Sequence, residues 1–167
     1  IVAPTEVVTS LNGVTIHAQK SLCFVAEADV VLFGSGRLTR QIVQDERLLA
    51  KLKVEPERQL IGSQCSGALV MKKLGLVENV PLCTDATTRP FLLETGATVL
   101  EQPFYANGNI ASAGGCLSAV YLAAWVILNL AGRAAAEDAL GYVAPVGEQE
   151  QFVANALRVI TTSLVTN

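Results

Sequence analysis

Cys65 is the residue in this chain best placed to do chemistry. It stands in Leu60-Ile61-Gly62-Ser63-Gln64-Cys65-Ser66-Gly67-Ala68-Leu69, where an apolar run ends, one nucleophile follows and small residues open the next element. A strand turning sharply into a helix holds a nucleophile in this way, in a nucleophile elbow. Gly62 falls one residue early for the strict Gly-x-nucleophile-x-Gly spacing, so the match is to the strand–turn–helix layout. Such a turn is strained, and Gly67 would let helix and strand backbones come close. The unpaired N–H groups and partial positive charge of a helix N-terminus favour a thiolate, so the thiol is expected below its free value. The same amides can bind an oxyanion formed on a substrate.

Other chemistry-bearing residues are sparse. Cys23, Cys83 and Cys116 lie far from one another and from Cys65, with no Cys-x-x-Cys pair, and His17 is the one histidine. That is neither a disulfide framework nor a zinc site, so no metal is expected. Cys23, Cys83 and Cys116 read as packing residues. Thiols of this kind fit a reducing cytoplasm, and no charged leader argues for secretion. Gly34-Ser35-Gly36 lacks the third glycine of a dinucleotide fingerprint, and no cofactor is expected.

The elements that would position Cys65 follow from the apolar pattern. Of 167 residues, 51% are hydrophobic and 16% charged, the net charge is −3 and mean hydropathy is +0.43. This excludes disorder and supplies one core for a single domain over 1–167. Twelve basic against fifteen acidic residues, with no basic run, exclude a nucleic-acid surface. Residues 7–10 and 14–18 flank Leu11-Asn12-Gly13 and predict a hairpin. Residues 29–33 (DVVLF) read as a buried parallel strand ending in Gly34-Ser35-Gly36.

A helix is expected over 38–52, a strand over 59–63, and a helix after Cys65 that Gly75 stops. Short strands at 81–84, 98–102 and 109–112, a helical turn at 90–94, and helices at 134–142 and 149–165 complete the pattern. Residues 105–108 read as a connector. Residues 110–132 carry no charge and are long enough to span a bilayer, but Ala113-Gly114-Gly115 interrupts them. The remaining stretch, 117–130, reads as a buried core helix rather than a membrane span. Strand and helix alternation from residue 29 predicts an α/β fold with a mostly parallel sheet.

Four blocks resemble the ThiJ/PfpI family of the class I glutamine amidotransferase-like superfamily. They are DVVLFGSGRLTR (29–40), IGSQCSGALVMKKLGL (61–76), CTDATTRPFL (83–92) and NGNIASAGGCLSAVYLAAWVILNLAG (107–132), spread through residues 1–135. Within the family the likeness is nearest to the isonitrile-hydratase-like group and to the sensor domains of AraC-type regulators. The resemblance implies a flavodoxin-like three-layer sandwich and a homodimer. It implies Cys65 as nucleophile, with the backbone N–H groups of Ser66 and of Ser35 or Gly36 as oxyanion donors. Gly34, Gly67, Thr87, Thr88 and Arg89 would line a pocket for a small-molecule substrate, with Asp85 and Thr84 as further candidates.

Two departures bear on mechanism. Arg89 stands where family members often carry histidine, and His17 lies on the hairpin, where it reads as a surface or packing residue. Arg89 would either hold positive charge near the thiolate or bind an anionic substrate, or else close a turn before Pro90. The family's acidic partner to the cysteine comes from a first strand–helix unit ahead of the region matching Ile1, so no residue here takes that role. The domain is therefore expected to lack that unit in this sequence. Two functions follow. One is a cysteine-nucleophile hydratase or hydrolase acting on an isonitrile or a reactive carbonyl. The other is a non-catalytic ligand or redox sensor, in which Cys65 is oxidised to sulfenic or sulfinic acid. The stretch after Gly132 is acidic around residues 148–150, and no helix-turn-helix module is expected in it.

Overall fold

A computed structural model describes residues 1–10 and 12–165. Its centre is a four-stranded sheet made, in spatial order, of β5 (Val30–Phe33), β6 (Leu60–Gln64), β8 (Ile110–Ala113) and β7 (Phe104–Asn107). Two small two-stranded sheets precede it: β1 (Val2–Ala3) with β4 (Lys20–Ser21), and β2 (Val7–Thr9) with β3 (Thr15–His17). β2 and β3 form the expected antiparallel hairpin, with Val8 opposite Ile16. The Ser10 amide donates to the Val14 carbonyl across its closed end at 2.8 Å; Leu11 lies outside the described residues. His17 is exposed on β3.

β5 (Val30–Phe33) and β6 (Leu60–Gln64) are parallel, as are β6 and β8 (Ile110–Ala113). β6 is buried along nearly its whole length because helices cover both faces, which explains its unbroken apolar run. α1 (Thr39–Ile42), α2 (Glu46–Leu49), α3 (Gly67–Lys73) and α4 (Arg89–Glu94) lie on one side, where Ile61, Leu69, Met71, Leu82 and Leu92 form a core. α5 (Ala119–Val143) and α6 (Gln149–Val165) lie on the other, around Phe104, Trp125, Leu157 and Ile160. This is the expected three-layer α/β sandwich with a mostly parallel sheet.

Four expectations are corrected. The single helix over 38–52 is two short helices. Asp45 leaves helical geometry (φ −86°, ψ 87°) and its carboxylate accepts from the Leu48 amide, capping α2 and breaking the run. The strands expected at 81–84 and 98–102 shrink to one bridge between Leu82 and Val99, which pair with each other and with no strand of the main sheet. The connector over 105–108 is instead β7 (Phe104–Asn107), antiparallel to β8 through the tight Gly108-Asn109 loop. The helix read as buried throughout packs by one face only. Leu122, Ala124 and Trp125 are buried, while Ala123 and Leu130 are exposed, since sheet and α6 underlie a single side. This helix is long and apolar enough to cross a membrane by length and composition. Its Gly132 leaves helical geometry (φ 86°, ψ 177°), which divides it where the sequence places the end of one helix and the start of another.

Candidate functional site at the turn from β6 to α3

β6 delivers its last residue, Gln64, to the end of the sheet, and Cys65 makes the turn into α3. Cys65 has φ 49°, and among the described residues no other non-glycine has a positive φ. An L residue in this region is strained and persists only where its surroundings hold it. Here they do so from both neighbouring segments. The Cys65 amide donates to the Ala113 carbonyl at 2.8 Å, and the Thr84 hydroxyl donates to the Cys65 carbonyl at 2.9 Å.

Two glycines make the close approach possible. A Cβ on Gly67 would meet the Phe33 carbonyl oxygen at 2.1 Å, and one on Gly114 would meet the Thr84 carbonyl oxygen at 2.4 Å. Larger residues at either place would push α3 or the Thr84 segment away from Cys65.

Ser66 ties the loop after β5 to the start of α3. Its Oγ accepts from the Gly36 amide at 3.0 Å and lies 3.2 Å from Ser35 Oγ and 3.1 Å from Thr39 Oγ1. Thr39 in turn donates to the Gly36 carbonyl at 2.7 Å. The Gly36 amide, one of the expected oxyanion donors, is thus committed to the Ser66 hydroxyl. The Ser66 amide lies ahead of the first turn of α3, whose opening bonds run from Ala68 to Cys65 and from Leu69 to Ser66, each 3.1 Å.

The Cys65 residue is 3% exposed, yet polar groups surround its sulfur. Gln64 Nε2 donates to Cys65 Sγ at 3.2 Å and to the Gly115 carbonyl at 2.7 Å, and the Gly115 amide also bonds the sulfur. Ser35, Gly36 and Cys116 are exposed; Gln64, Ser66, Thr84 and Asp85 are half-buried. The thiol is pushed above its ordinary value of 9.0, first by burial; the bonds from Gln64 and Gly115 pull it down, and the nearby Asp85 and Cys116 push it up again. This overturns the expectation of a lowered thiol: loss of water outweighs the bonds from Gln64 and Gly115.

The remaining candidates divide. Gly34 and Gly67 sit together where α3 crosses β5. Thr87 and Thr88 turn toward Asp85 instead, whose carboxylate accepts from both amides at 3.0 Å and from the Thr88 hydroxyl at 2.7 Å, fixing the start of α4. Arg89 reaches Glu101 at 3.3 Å and does not figure among the groups whose charge bears on Cys65. Gln64 and Thr39 join the site without having been singled out in the sequence. A polar residue closing an otherwise apolar strand was the available signal for Gln64; Thr39 carried none. Among the described residues no group of histidine, cysteine and acidic side chains could hold a metal.

No family model matches the chain, and no curated protein does. Solved structures do. A ThiJ/PfpI family protein from Pseudomonas syringae is 20% identical, with a TM-score of 0.74 over 98% of this chain and 75% of that one. Schizosaccharomyces pombe DJ-1 is 19% identical, with a TM-score of 0.70 over 84% of this chain and 78% of that one. Drosophila melanogaster DJ-1beta is 23% identical, with a TM-score of 0.67 over 80% and 74%. At these identities the likeness speaks for the backbone, and on that ground the chain has the DJ-1/ThiJ/PfpI fold.

Proposed function

We propose that the chain is a ThiJ/PfpI-type enzyme in which the Cys65 sulfur adds to a small electrophile, an isonitrile or a reactive carbonyl. The observation that carries this reading is the strained Cys65 backbone at the turn from β6 to α3, clamped by Ala113 and Thr84. Strain at a nucleophile, held by surrounding bonds, is a feature of functional turns rather than of packing. The thiolate forms a bond to the electrophilic carbon. Charge developing on a carbonyl oxygen is met by the Ser66 amide, while the Ser66 hydroxyl holds the Ser35–Gly36 loop in place. An isonitrile becomes a thioimidate, and an activated carbonyl expels its leaving group to become a thioester; water then adds to the carbon and the C–S bond breaks, releasing an amide or an acid and restoring the thiol. The proton that the thiol gives up ends on the isonitrile carbon, or on the group that leaves the activated carbonyl. No cofactor enters this scheme.

A homodimer in the cytoplasm belongs to the same reading, and the apolar outer face of α5 supports a subunit contact. The test is turnover of a small isonitrile and of a small activated carbonyl compound. Cys65→Ala and Cys65→Ser abolish it if the reading holds; full activity in either variant removes it. The sensor reading is kept alive by the raised Cys65 thiol, which needs deprotonation before it can attack. Ligand or oxidant binding without turnover would favour it.

A further inference from the structure

Cys116 is an exposed thiol set beside a buried one. β8 runs parallel to β6 with Ala113 opposite Gln64, and the Cys65 amide bonds the Ala113 carbonyl, so the chain leaves β8 alongside Cys65. The next residues stay there. The Gln64 side-chain amide joins Cys65 Sγ to the Gly115 carbonyl, and the Gly115 amide bonds the same sulfur. Cys116 follows directly, opening a short 3-10 turn (Cys116–Ser118), and its charge is felt at Cys65. Cys23 stands apart, exposed on the N-terminal 3-10 turn (Leu22–Ala26), and Cys83 is fully buried with its amide bonded to Ser112.

A disulfide needs Cα atoms within about 7 Å. Gly115 precedes Cys116 at φ 86°, with no side chain to obstruct a rotation. The chain that carries Cys116 past Cys65 is thus one glycine followed by one short turn.

We propose that Cys116 and Cys65 are a two-cysteine site that reduces hydroperoxides and closes as a disulfide. Exposure sets the order of events. Cys116 meets the peroxide first: its thiolate attacks one peroxide oxygen, the O–O bond breaks, and the other oxygen leaves as water or an alcohol after taking a proton. The sulfur is oxidised by two electrons to a sulfenic acid and the peroxide is reduced by two. Cys65 Sγ then attacks the Cys116 sulfur. The S–S bond forms, the S–O bond breaks, and hydroxide leaves as water with the Cys65 proton. A small dithiol restores both thiols by exchange. This goes beyond the hydration or hydrolysis proposed above and shares only the Cys65 sulfur with it.

The reduced full chain is treated with one equivalent of hydrogen peroxide, then read by intact mass and by non-reducing peptide mapping. The expected result is loss of two hydrogens per chain, with the Cys65 and Cys116 peptides joined, reversed by dithiothreitol. In Cys65→Ser, dimedone labels Cys116 and no bridge forms. In Cys116→Ser, Cys65 stays unmodified at the same dose, while isonitrile or carbonyl turnover is unchanged. Sulfinic acid on Cys65 of the unaltered chain without a bridge overturns the proposal, as does a two-hydrogen loss that persists in Cys116→Ser. Because the first arm uses no variant, the outcome does not depend on a substitution folding. Failure of the bridge with turnover intact removes this proposal alone.

Discussion

A Cβ on Gly67 would stand 2.1 Å from the carbonyl oxygen of Phe33, so α3 rests on the end of β5 with no space for a side chain between them. That contact sets the height of α3 above the sheet, and with it the position of the Ser66 amide beside Cys65. Gly67→Ala is expected to cost about 3 kcal/mol, the cost of overpacking a site where backbone must move. Urea unfolding measures it; a loss below about 1 kcal/mol would mean that α3 tilts freely and does not fix the site.

The Ser66 hydroxyl joins three residues of the preceding loop, Ser35, Gly36 and Thr39. Ser66→Ala should destabilise by about 1–2 kcal/mol, since the Gly36 amide and Thr39 hydroxyl lose a shared partner. Turnover should fall further than stability does, because the loop tied to the start of α3 is freed. Equal kcat values for Ser66→Ala and the unaltered chain would remove the positioning role.

Cys65 holds its proton beyond the ordinary thiol value of 9.0. Alkylation by iodoacetamide should therefore keep accelerating as pH rises past that value, rather than levelling off below it. Gln64→Leu removes a donor to the sulfur and should slow alkylation at neutral pH by about tenfold, the weight of one hydrogen bond to a charged group. A plateau reached near neutral pH would show the thiolate to be favoured after all.

Cys83 is fully buried, and burial pushes its thiol from 9.0 up to about 12, with the Ser112 bond opposing. Below the unfolded value both states keep the proton and stability does not depend on it. Above that value the unfolded chain loses the proton while the folded chain retains it, so stability falls as pH rises toward the folded value. The slope is up to about 1.4 kcal/mol per pH unit. Cys83→Ala should flatten the alkaline fall in unfolding free energy, and an unchanged slope would show that the thiolate is accommodated in the core.

Local pattern revealed β5, β6, the start of α3 and the break at Gly132, because each is written in residues adjacent in sequence: an unbroken apolar run, a nucleophile among small residues, a glycine between helical stretches. β7 was legible too, since Asn107-Gly108 between apolar runs is a hairpin signal, but Thr98-Val99-Leu100 competed for the strand. That run failed as a strand for a reason outside the segment: its bridge partner is Leu82, and it pairs with no strand of the main sheet.

What the sequence determined by itself was the layered α/β fold and the place of Cys65 at a strand-to-helix turn, since both depend on periodicity and on one local turn. What only the tertiary structure decided was the company that sulfur keeps. Gln64, Gly115 and Cys116 reach it because β6 and β8 run parallel in one register, and Asp85 because the Thr84 segment crosses at Gly114. The thiol's raised proton affinity belongs to the same category. Burial depends on every segment folded over a group, and no spacing along the chain records how much water those segments remove.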